Sequence, residues 1–456
     1  MLTTCSQCAG SGSLLCGSLW ACLCRPLGLY CHNVKKALIC KRFLRAFRGR
    51  FFLLALLPVA ALLLFALSSS AQEVSVDEAL DLFLKNNWDV LINRYEIDKA
   101  QGDLIQARLF PNPNVSVNYT GMTSGGSRTD ATQQTYRLDQ LIELGGKRKY
   151  RIGTATEALE AVKLAHKDAI RSLLVGFYTT YYNLLLSQLN IDFQKEDLQK
   201  FDRVFQIAEK RHLAGFLTLI EYTKLKLARI DLENGLTATS NQLRNDIESF
   251  SLLLGGNIRI QPGQSQVTEE FPEYSENEVL ERAYISRWDL LALERQSKSF
   301  DYSYRLAKAQ RIPDITIGGE YEGFGKNLEP GRGLGVSLNI PIFARNQGEI
   351  ARRSAEYSQI KLQIERTKRQ IEVDVKHALN NYRSGLTIFD AYKTRKNEML
   401  ELQGRSEKAF SLGGITVLDL LDTQRTYRDF MTKYRQSLVQ SALNQALIRV
   451  STGEIK

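Results

Sequence analysis

Two carboxylates stand close together near the end of the chain, just after a pair of glycines. Asp419 and Asp422 follow Gly413 and Gly414 and are three residues apart, so on a helix they share one face. Carboxylates crowded on one face repel each other and attract cations, which is the chemistry of a cation site or a selectivity gate. The alternative is a solvated helix start, where acidic side chains suit the positive end of the helix dipole. The residues alone favour the helix start.

Cysteine chemistry is confined to the first 40 residues of the 456-residue chain, which hold all seven cysteines. The pairs Cys5-x-x-Cys8 and Cys22-x-Cys24 could suggest zinc, but no second pair or His pair follows at finger spacing. Eight Lys and Arg residues and no acid precede an apolar run over 51–67 and the small residues that end at Ala71. This pattern predicts a secretory signal peptide cleaved after Ala71, with an uncleaved membrane anchor as the alternative.

The formal net charge of +10 suggests a nucleic acid or an anionic membrane as partner. Most of that charge belongs to the leader, so the chain after Ala71 is nearly neutral and has no cysteine. We therefore exclude nucleic acid as a partner. His166, His212 and His377 are scattered singly, and no triad, metal site or phosphate loop can be assembled from this inventory. The sequence predicts no enzyme, no cofactor and no metal.

The chain after the leader repeats itself with an offset of 200 residues. Ser75 opens the sequence SVDEAL and Trp88 opens WDVL, while Ser275 opens SENEVL and Trp288 opens WDLL. A polar stretch with Pro and Gly separates the two halves. The predicted organisation is a leader over 1–71, a first repeat over 72–261 and a second repeat over 262–456.

Each half is predicted to contain one helix, two strands and two very long helices. Ser-x-x-Glu at Ser75 and at Ser275 is the pattern of a capping box, and each first helix should end before Pro111 or Pro313. Apolar and polar residues then alternate with a period of two, which is typical of strands with one apolar face. The strands begin near residues 115 and 315, pass through loops over 121–132 and 325–333, and return over 134–144 and 335–343.

The remaining segments, 154–254 and 349–451, contain no proline and are interrupted only at Gly215 and at Gly413-Gly414. Apolar residues recur there at helical spacing, with charge between them. Helices of this length are typical of coiled-coil packing.

The four strands have the length that a tilted membrane-spanning strand needs, but four are too few to close a barrel. Open strand edges cannot face lipid, because their backbone groups would stay unpaired. An exported chain of this kind must therefore share its barrel with other copies, and three copies would give twelve strands. The alternative is a soluble coiled-coil protein with a small independent sheet.

Four segments resemble the TolC-like family of outer membrane efflux proteins, especially its CzcC-type branch of heavy-metal and small-molecule exporters. Their order and the duplication extend the resemblance over essentially all of 73–453. It implies a homotrimer with a twelve-stranded β-barrel in the cell outer membrane, continued by an α-helical barrel in the periplasm. It also implies docking onto an inner-membrane pump through a periplasmic adaptor. The segments are ARLFPNP at 107–113, LIELGGKR at 141–148, IPIFARNQG at 340–348 and GGITVLDLLD at 413–422.

The resemblance assigns roles to the two glycine turns. It implies that Asp419 and Asp422 point into the pore at its closed periplasmic tip as a gate and cation-selective ring, with Glu221 as an added carboxylate. Ile415 stands where a well-known member of the family has a basic residue, so a salt-bridge lock is not expected there. Adaptor docking is implied for the turn residues Gly215, Thr218, Gly413, Gly414 and Thr416.

Four basic residues follow the first return strand, where they could lie at the headgroups of outer membrane lipid or simply begin a solvated helix. They are Lys147, Arg148, Lys149 and Arg151. The predicted function is a passive exit duct for small molecules or metal ions. The alternatives are type I secretion of proteins or peptides, and a soluble periplasmic coiled-coil adaptor.

Overall fold

The computed structural model describes residues 72–121, 132–256, 258–262, 268–324 and 329–455. The predicted leader, most of the two strand-connecting loops and residues 263–267 of the linker lie outside the described residues. Across the ranges just given, no helix combines the length and the apolar character needed to cross a membrane.

The two halves have the same order of elements. The first half contains β1 (Gln72–Val74), α1 (Val76–Asn86), α2 (Trp88–Arg108), β2 (Asn114–Gly121), β3 (Thr132–Ile142), α3 (Lys147–Leu213) and α4 (Leu219–Leu253). The second contains β4 (Ile260–Pro262), α5 (Glu276–Ser286), α6 (Trp288–Ala309), β5 (Ile315–Phe324), β6 (Gly331–Leu338), α7 (Gln347–Ser411) and α8 (Val417–Thr452). With 67 and 65 residues, α3 and α7 are each about 100 Å long. The predicted long helix pairs are confirmed.

The single first helix predicted for each half is wrong, because the structure breaks it into two. Asn87 lies in extended conformation between α1 and α2, and its side chain accepts hydrogen bonds from the backbone N–H groups of Asp89 and Val90. Asn87 therefore caps a new helix. Arg287 has the same extended backbone between α5 and α6, without a side-chain cap.

The two predicted capping boxes have different outcomes. Ser75 forms one with Glu78, each side chain accepting from the backbone N–H of the other. Ser275 begins α5 but its side chain makes no capping hydrogen bond, so the second prediction is wrong. The two repeats share the position of this helix start, but only the first has the capping hydrogen bonds.

The four predicted strands form one antiparallel sheet in the order β2-β3-β5-β6, which leaves β2 and β6 as edges. Directly paired residues share a face, so Val115, Leu138 and Leu334 lie on one side. Ser116, Arg137 and Glu320 lie on the other side. The second return strand was predicted to reach residue 343 but ends at Leu338, shortly before a proline that cannot donate to a ladder.

A short parallel pair, β1 with β4, was not predicted. These three-residue strands are too short for alternation to show, and β4 falls at the end of the first repeat. Their pairing ties the start of the described chain to the junction between the repeats. Val74 and Ile260 from the pair are buried in the core beside Phe177 and Tyr181 of α3.

The largest core cluster surrounds the middle of α3 and is rich in aromatic rings. Phe177 is fully buried, with its ring centroid 5.0 Å from that of Phe83 on α1 and 5.7 Å from that of Phe250 on α4. One side chain therefore joins three helices.

We expect Phe177→Ala to lower the free energy of unfolding by about 3–5 kcal/mol, because it removes a ring that the neighbouring helices cannot collapse to replace. Val175→Ala, two residues away on the exposed side of α3, is the matched control and should change stability by less than about 0.5 kcal/mol. Thermal unfolding of the purified protein measures both. Equal losses from the two variants would contradict this account of the core.

Candidate functional site at the two helix turns

The turn between α3 and α4 is a glycine-terminated helix end. Gly215 has φ of +78°, the left-handed conformation that glycine adopts without steric cost. The N–H of Phe216 donates to the Arg211 carbonyl at 2.8 Å and that of Gly215 to the His212 carbonyl at 3.0 Å. These two bonds are the Schellman motif, which satisfies carbonyls that the helix end would leave unpaired.

The turn between α7 and α8 is built in the same way. Gly413 has φ of +82°, and its N–H donates to the Phe410 carbonyl at 3.0 Å. Gly414 follows with an N–H bond to the Ala409 carbonyl at 2.8 Å. Gly215 and Gly413 thus hold the backbone position that requires glycine, whereas φ is not positive at Gly414.

Each return helix begins with a capping box, and the predicted carboxylates form part of it. Thr218 caps α4 and its hydroxyl donates to Glu221 Oε2 at 2.7 Å. Thr416 caps α8 and its hydroxyl donates to Asp419 Oδ2 at 2.7 Å. In both, the carboxylate also accepts from the backbone N–H of the threonine. The structure therefore places Glu221 and Asp419 at equivalent positions, with one oxygen of each engaged in capping.

This capping favours the ionised form of both carboxylates. Hydrogen bonds from the Thr416 hydroxyl and backbone hold the pKa of Asp419 below its ordinary value of 3.8. The same bonds from Thr218, assisted by Arg211 and Lys224, lower the pKa of Glu221. Asp419 is exposed, whereas Glu221 is only partly exposed.

Asp422 lies one turn beyond Asp419 on the same exposed face of α8. It lines an open groove of about 530 Å³ between α4 and α8, where Lys224 and Arg425 also lie. The groove thus mixes both signs of charge within one chain. Within the described ranges, no three His, Cys, Asp or Glu side chains are grouped so that they could hold a metal ion.

Ile415 precedes the threonine cap and is partly buried in the apolar cluster beneath the turns. Leu217 has the equivalent place before Thr218 and is buried there as well. A hydrophobic residue just before the cap fixes the angle at which the chain enters a helix. The position where a basic residue was noted in a relative is therefore used here for packing.

A basic residue nevertheless joins the two helix pairs, and no sequence pattern indicates this contact. Arg211, in the last turn of α3, donates from Nη1 to the Phe410 carbonyl oxygen at 2.6 Å. Its guanidinium also lies 5.1 Å from the centroid of the Phe410 ring. Arg211 of the first helix pair thus places a positive charge at the carbonyl end of α7 in the second pair, where the helix dipole favours a cation. Basic residues are common in last helical turns, so its long-range partner could not be read from the sequence.

The two turns also present apolar side chains to solvent. Phe216 and Leu412 are each more than three-quarters exposed. We call the exposed apolar side chains at these two turns the apolar tip. Its members are Leu213, Phe216, Leu219, Ile220, Leu412 and Leu418. An exposed apolar patch of this kind on a folded protein marks an interaction surface.

The predicted basic cluster is largely occupied by internal bonds at the strand–helix junction. Lys147 is buried, with Nζ 2.7 Å from Asp314 Oδ1. Arg148 donates to the Arg108 carbonyl at 2.7 Å. Lys149 is exposed. A lipid-facing role therefore depends chiefly on Lys149.

Arg151, the last member of that cluster, closes the end of α2. It donates to the carbonyl oxygens of Ala107 at 3.1 Å and Leu109 at 3.0 Å, and it pairs with Glu143. Helix ends leave carbonyls without partners, and Arg151 satisfies two of them from another element.

Comparisons with known proteins match this architecture. A family model described as outer membrane efflux protein matches residues 79–256 and 279–452. The cobalt-zinc-cadmium resistance protein CzcC of Cupriavidus metallidurans is 24% identical over 380 residues, which cover 82% of this chain and 88% of that protein. The pyoverdine export outer membrane protein OpmQ of Pseudomonas aeruginosa is 23% identical over 384 residues, covering 77% and 79%. A crystal structure of CusC superposes with a TM-score of 0.70 at 16% identity, covering 85% of this chain and 96% of that chain, which shows the fold.

We expect Thr416→Val to increase amide hydrogen exchange in residues 416–421 about fivefold, because it removes the hydroxyl that completes the capping box. Thr423→Val is the control, since the Thr423 hydroxyl only bonds back to the Asp419 carbonyl within the helix. Folding lowers the pKa of Asp419. The contribution of this carboxylate to the free energy of unfolding is therefore present above pH 3.8 and is lost as the pH falls through the folded-state pKa. Equal exchange in both variants would refute the capping role.

Proposed function

The chain belongs to the family of outer membrane efflux proteins, and from that premise we propose that it is the passive exit duct of a tripartite export system. In that system an inner-membrane pump supplies the energy and a periplasmic adaptor joins pump and duct. The proposal includes export with removal of residues 1–71. The remaining chain consists of two repeats, 72–261 and 262–456. The observation that carries it is a four-stranded sheet with two free edges that leads into helices about 100 Å long.

The free edges support a trimer. In the hydrocarbon of a membrane, the unpaired backbone groups of β2 and β6 must find partners, and a neighbouring copy offers the complementary edge. Three copies supply the twelve strands of a closed barrel. The face that carries Val115, Leu138 and Leu334 would then meet lipid, and Leu334 is 93% exposed in the single chain. The face that carries Arg137 and Glu320 would line the water-filled interior.

The apolar tip supports docking of the adaptor. It lies at the ends of both long helix pairs, as far from the strands as the chain extends. Burial of its exposed side chains by a partner would stabilise the complex through the hydrophobic effect. The predicted docking residues Gly215, Thr218, Gly413, Gly414 and Thr416 form the backbone on which these side chains are presented.

The carboxylates near the tip support a cation-attracting gate. Asp419 and Asp422 are exposed on one face of α8, and Asp419 stays charged because Thr416 lowers its pKa. In a trimer each position repeats three times, which concentrates negative charge where the helices converge. Glu221 would add its charge from α4.

The names of the relatives support small cargo. CzcC is a cobalt-zinc-cadmium resistance protein and OpmQ exports pyoverdine. The proposed cargo is therefore a metal ion or another small molecule. Export would be tested by comparing the retention of Co²⁺, Zn²⁺ and Cd²⁺ in cells with and without the chain. Equal retention of all three would exclude these metals as cargo.

We expect Leu334→Arg to reduce the trimer in outer-membrane fractions strongly, because a charge on a lipid-facing strand position costs about 2–4 kcal/mol near the bilayer midplane. Ser337→Arg is the matched control in the same strand, since Ser337 pairs with Thr316 on the polar face. Membrane fractionation with crosslinking measures both. Loss from both variants, or from neither, would contradict the assignment of the faces.

The gate is tested by Asp419→Ala combined with Asp422→Ala. The double variant should raise single-channel conductance in planar bilayers and weaken block by multivalent cations, because the negative charge at the tip is removed. Glu365→Ala removes an exposed carboxylate of α7 far along the helix from the turn and should leave block unchanged. Conductance and block like those of the parent channel would argue against the gate.

A further inference from the structure

The contact between the two helix pairs contains a band of polar side chains with buried atoms, several helical turns from the apolar tip. Eight buried side-chain atoms in the described part of the chain have no hydrogen-bond partner within the protein. Seven of them belong to this band, which we call the polar seam. Its members are Gln188, Gln194 and Asp197 on α3, Ser406 on α7, and Gln424, Arg428 and Arg435 on α8.

The centre of the polar seam is a poorly made ion pair. Asp197 is 5% exposed, and its Oδ2 lies 3.6 Å from Arg428 Nη1, beyond a normal hydrogen bond. Burial of two charges is compensated only when geometry is good and the remaining polar atoms are bonded. The separation is too long for a direct hydrogen bond, and burial raises the pKa of Asp197 despite the nearby Arg428 and Lys200.

A second buried cation lies about two helical turns along α8. Arg435 is 7% exposed, donates from Nε to Asn190 at 3.1 Å and lies 3.8 Å from the Phe193 ring centroid. Its Nη2 has no protein partner, and burial lowers the pKa of Arg435 to about 10. Arg435 is therefore held by an amide and a ring, with no directly bonded carboxylate.

The contacts on either side of the polar seam are apolar. Towards the tip, Phe201 and Val204 of α3 pack with Leu420 of α8. On the far side, Leu443 of α8 packs in the cluster that contains Leu184 and Ile191 of α3. Within the polar seam itself, Phe193 of α3 packs on Tyr427 of α8 with ring centroids 5.9 Å apart, so apolar and polar contacts are interleaved along the boundary between the helix pairs.

We propose that the polar seam raises the free energy of the closed packing of α3 on α8 and thereby lowers the free energy needed to open the duct. This inference rests on the proposed function. When the helices separate, bulk water reaches the seam atoms and satisfies them, so part of the opening is favourable. The apolar contacts on either side still keep the closed arrangement as the ground state.

The proposal predicts opposite effects from two variants of one ion pair. Asp197→Leu with Arg428→Leu replaces the pair by apolar side chains and should reduce the open probability about tenfold, because the closed seam becomes better satisfied. Asp197→Leu alone leaves Arg428 without its counter-charge and should increase the open probability. If the pair instead held the helices together, both variants would open the channel.

Single-channel recording of the full trimer in planar bilayers measures these effects, with thermal unfolding as the check on folding. Asp202→Ala with Arg229→Ala is the matched control, because that pair is half exposed, bonded at 2.7 Å and confined to α3 and α4. It should leave the open probability unchanged. If the double leucine variant does not assemble, Gln424→Leu is the alternative. It replaces one uncharged side chain that is 3% exposed, and it should likewise reduce the open probability.

Three outcomes are separable. A reduced open probability in the double variant, or in Gln424→Leu, supports the polar seam. An increased or unchanged open probability in a folded trimer overturns it while the duct itself stands. A parent protein that forms no conducting trimer overturns the proposed function, and the seam inference fails with it.

Discussion

Backbone hydrogen bonding in lipid is the constraint on which the rest of this structure depends. A sheet of four strands has two free edges, and hydrocarbon offers no partner for the groups along them. Most apolar side chains of the sheet lie on one face, which is the arrangement expected of a sheet that separates lipid from water. In the proposed trimer, edge pairing between copies would set the ring of strands, and the helices that continue from the strands would follow the same ring.

The duplication preserves backbone requirements more closely than side chains. Gly146 and Asn346 occupy the same left-handed position before α3 and α7, with φ of 72° and 60°. The Ala107 carbonyl at the end of α2 accepts from Arg151, whereas the Ala307 carbonyl in the last turn of α6 accepts from Asn346. Both halves must turn from helix to strand to helix with every carbonyl satisfied. Each half meets that requirement with a different residue.

Local patterns predicted most of the elements, and long-range contacts account for what was missed. Proline-free runs, period-two alternation and glycine turns gave the long helices and the sheet, because each depends on neighbours in sequence. The break at Asn87 was missed because the apolar pattern continues through it. The internal partners of Lys147 and Arg211 come from segments more than 150 residues away, which no local pattern reveals. The adaptor alternative is wrong, since the family match extends over both halves.

The tip and the polar seam place opposite demands on the same helices. At the tip, Arg211, the capping threonines and an apolar cluster hold the ends of the helices. Some turns above, Asp197 is buried and its Oδ2 lies 3.6 Å from Nη1 of the partly exposed Arg428. A duct bonded equally well along its length would be costly to open, and one polar throughout would not stay shut. In the proposed duct, separating the two properties along α3 and α8 would allow a closed resting state whose helices can still part when a partner binds the tip.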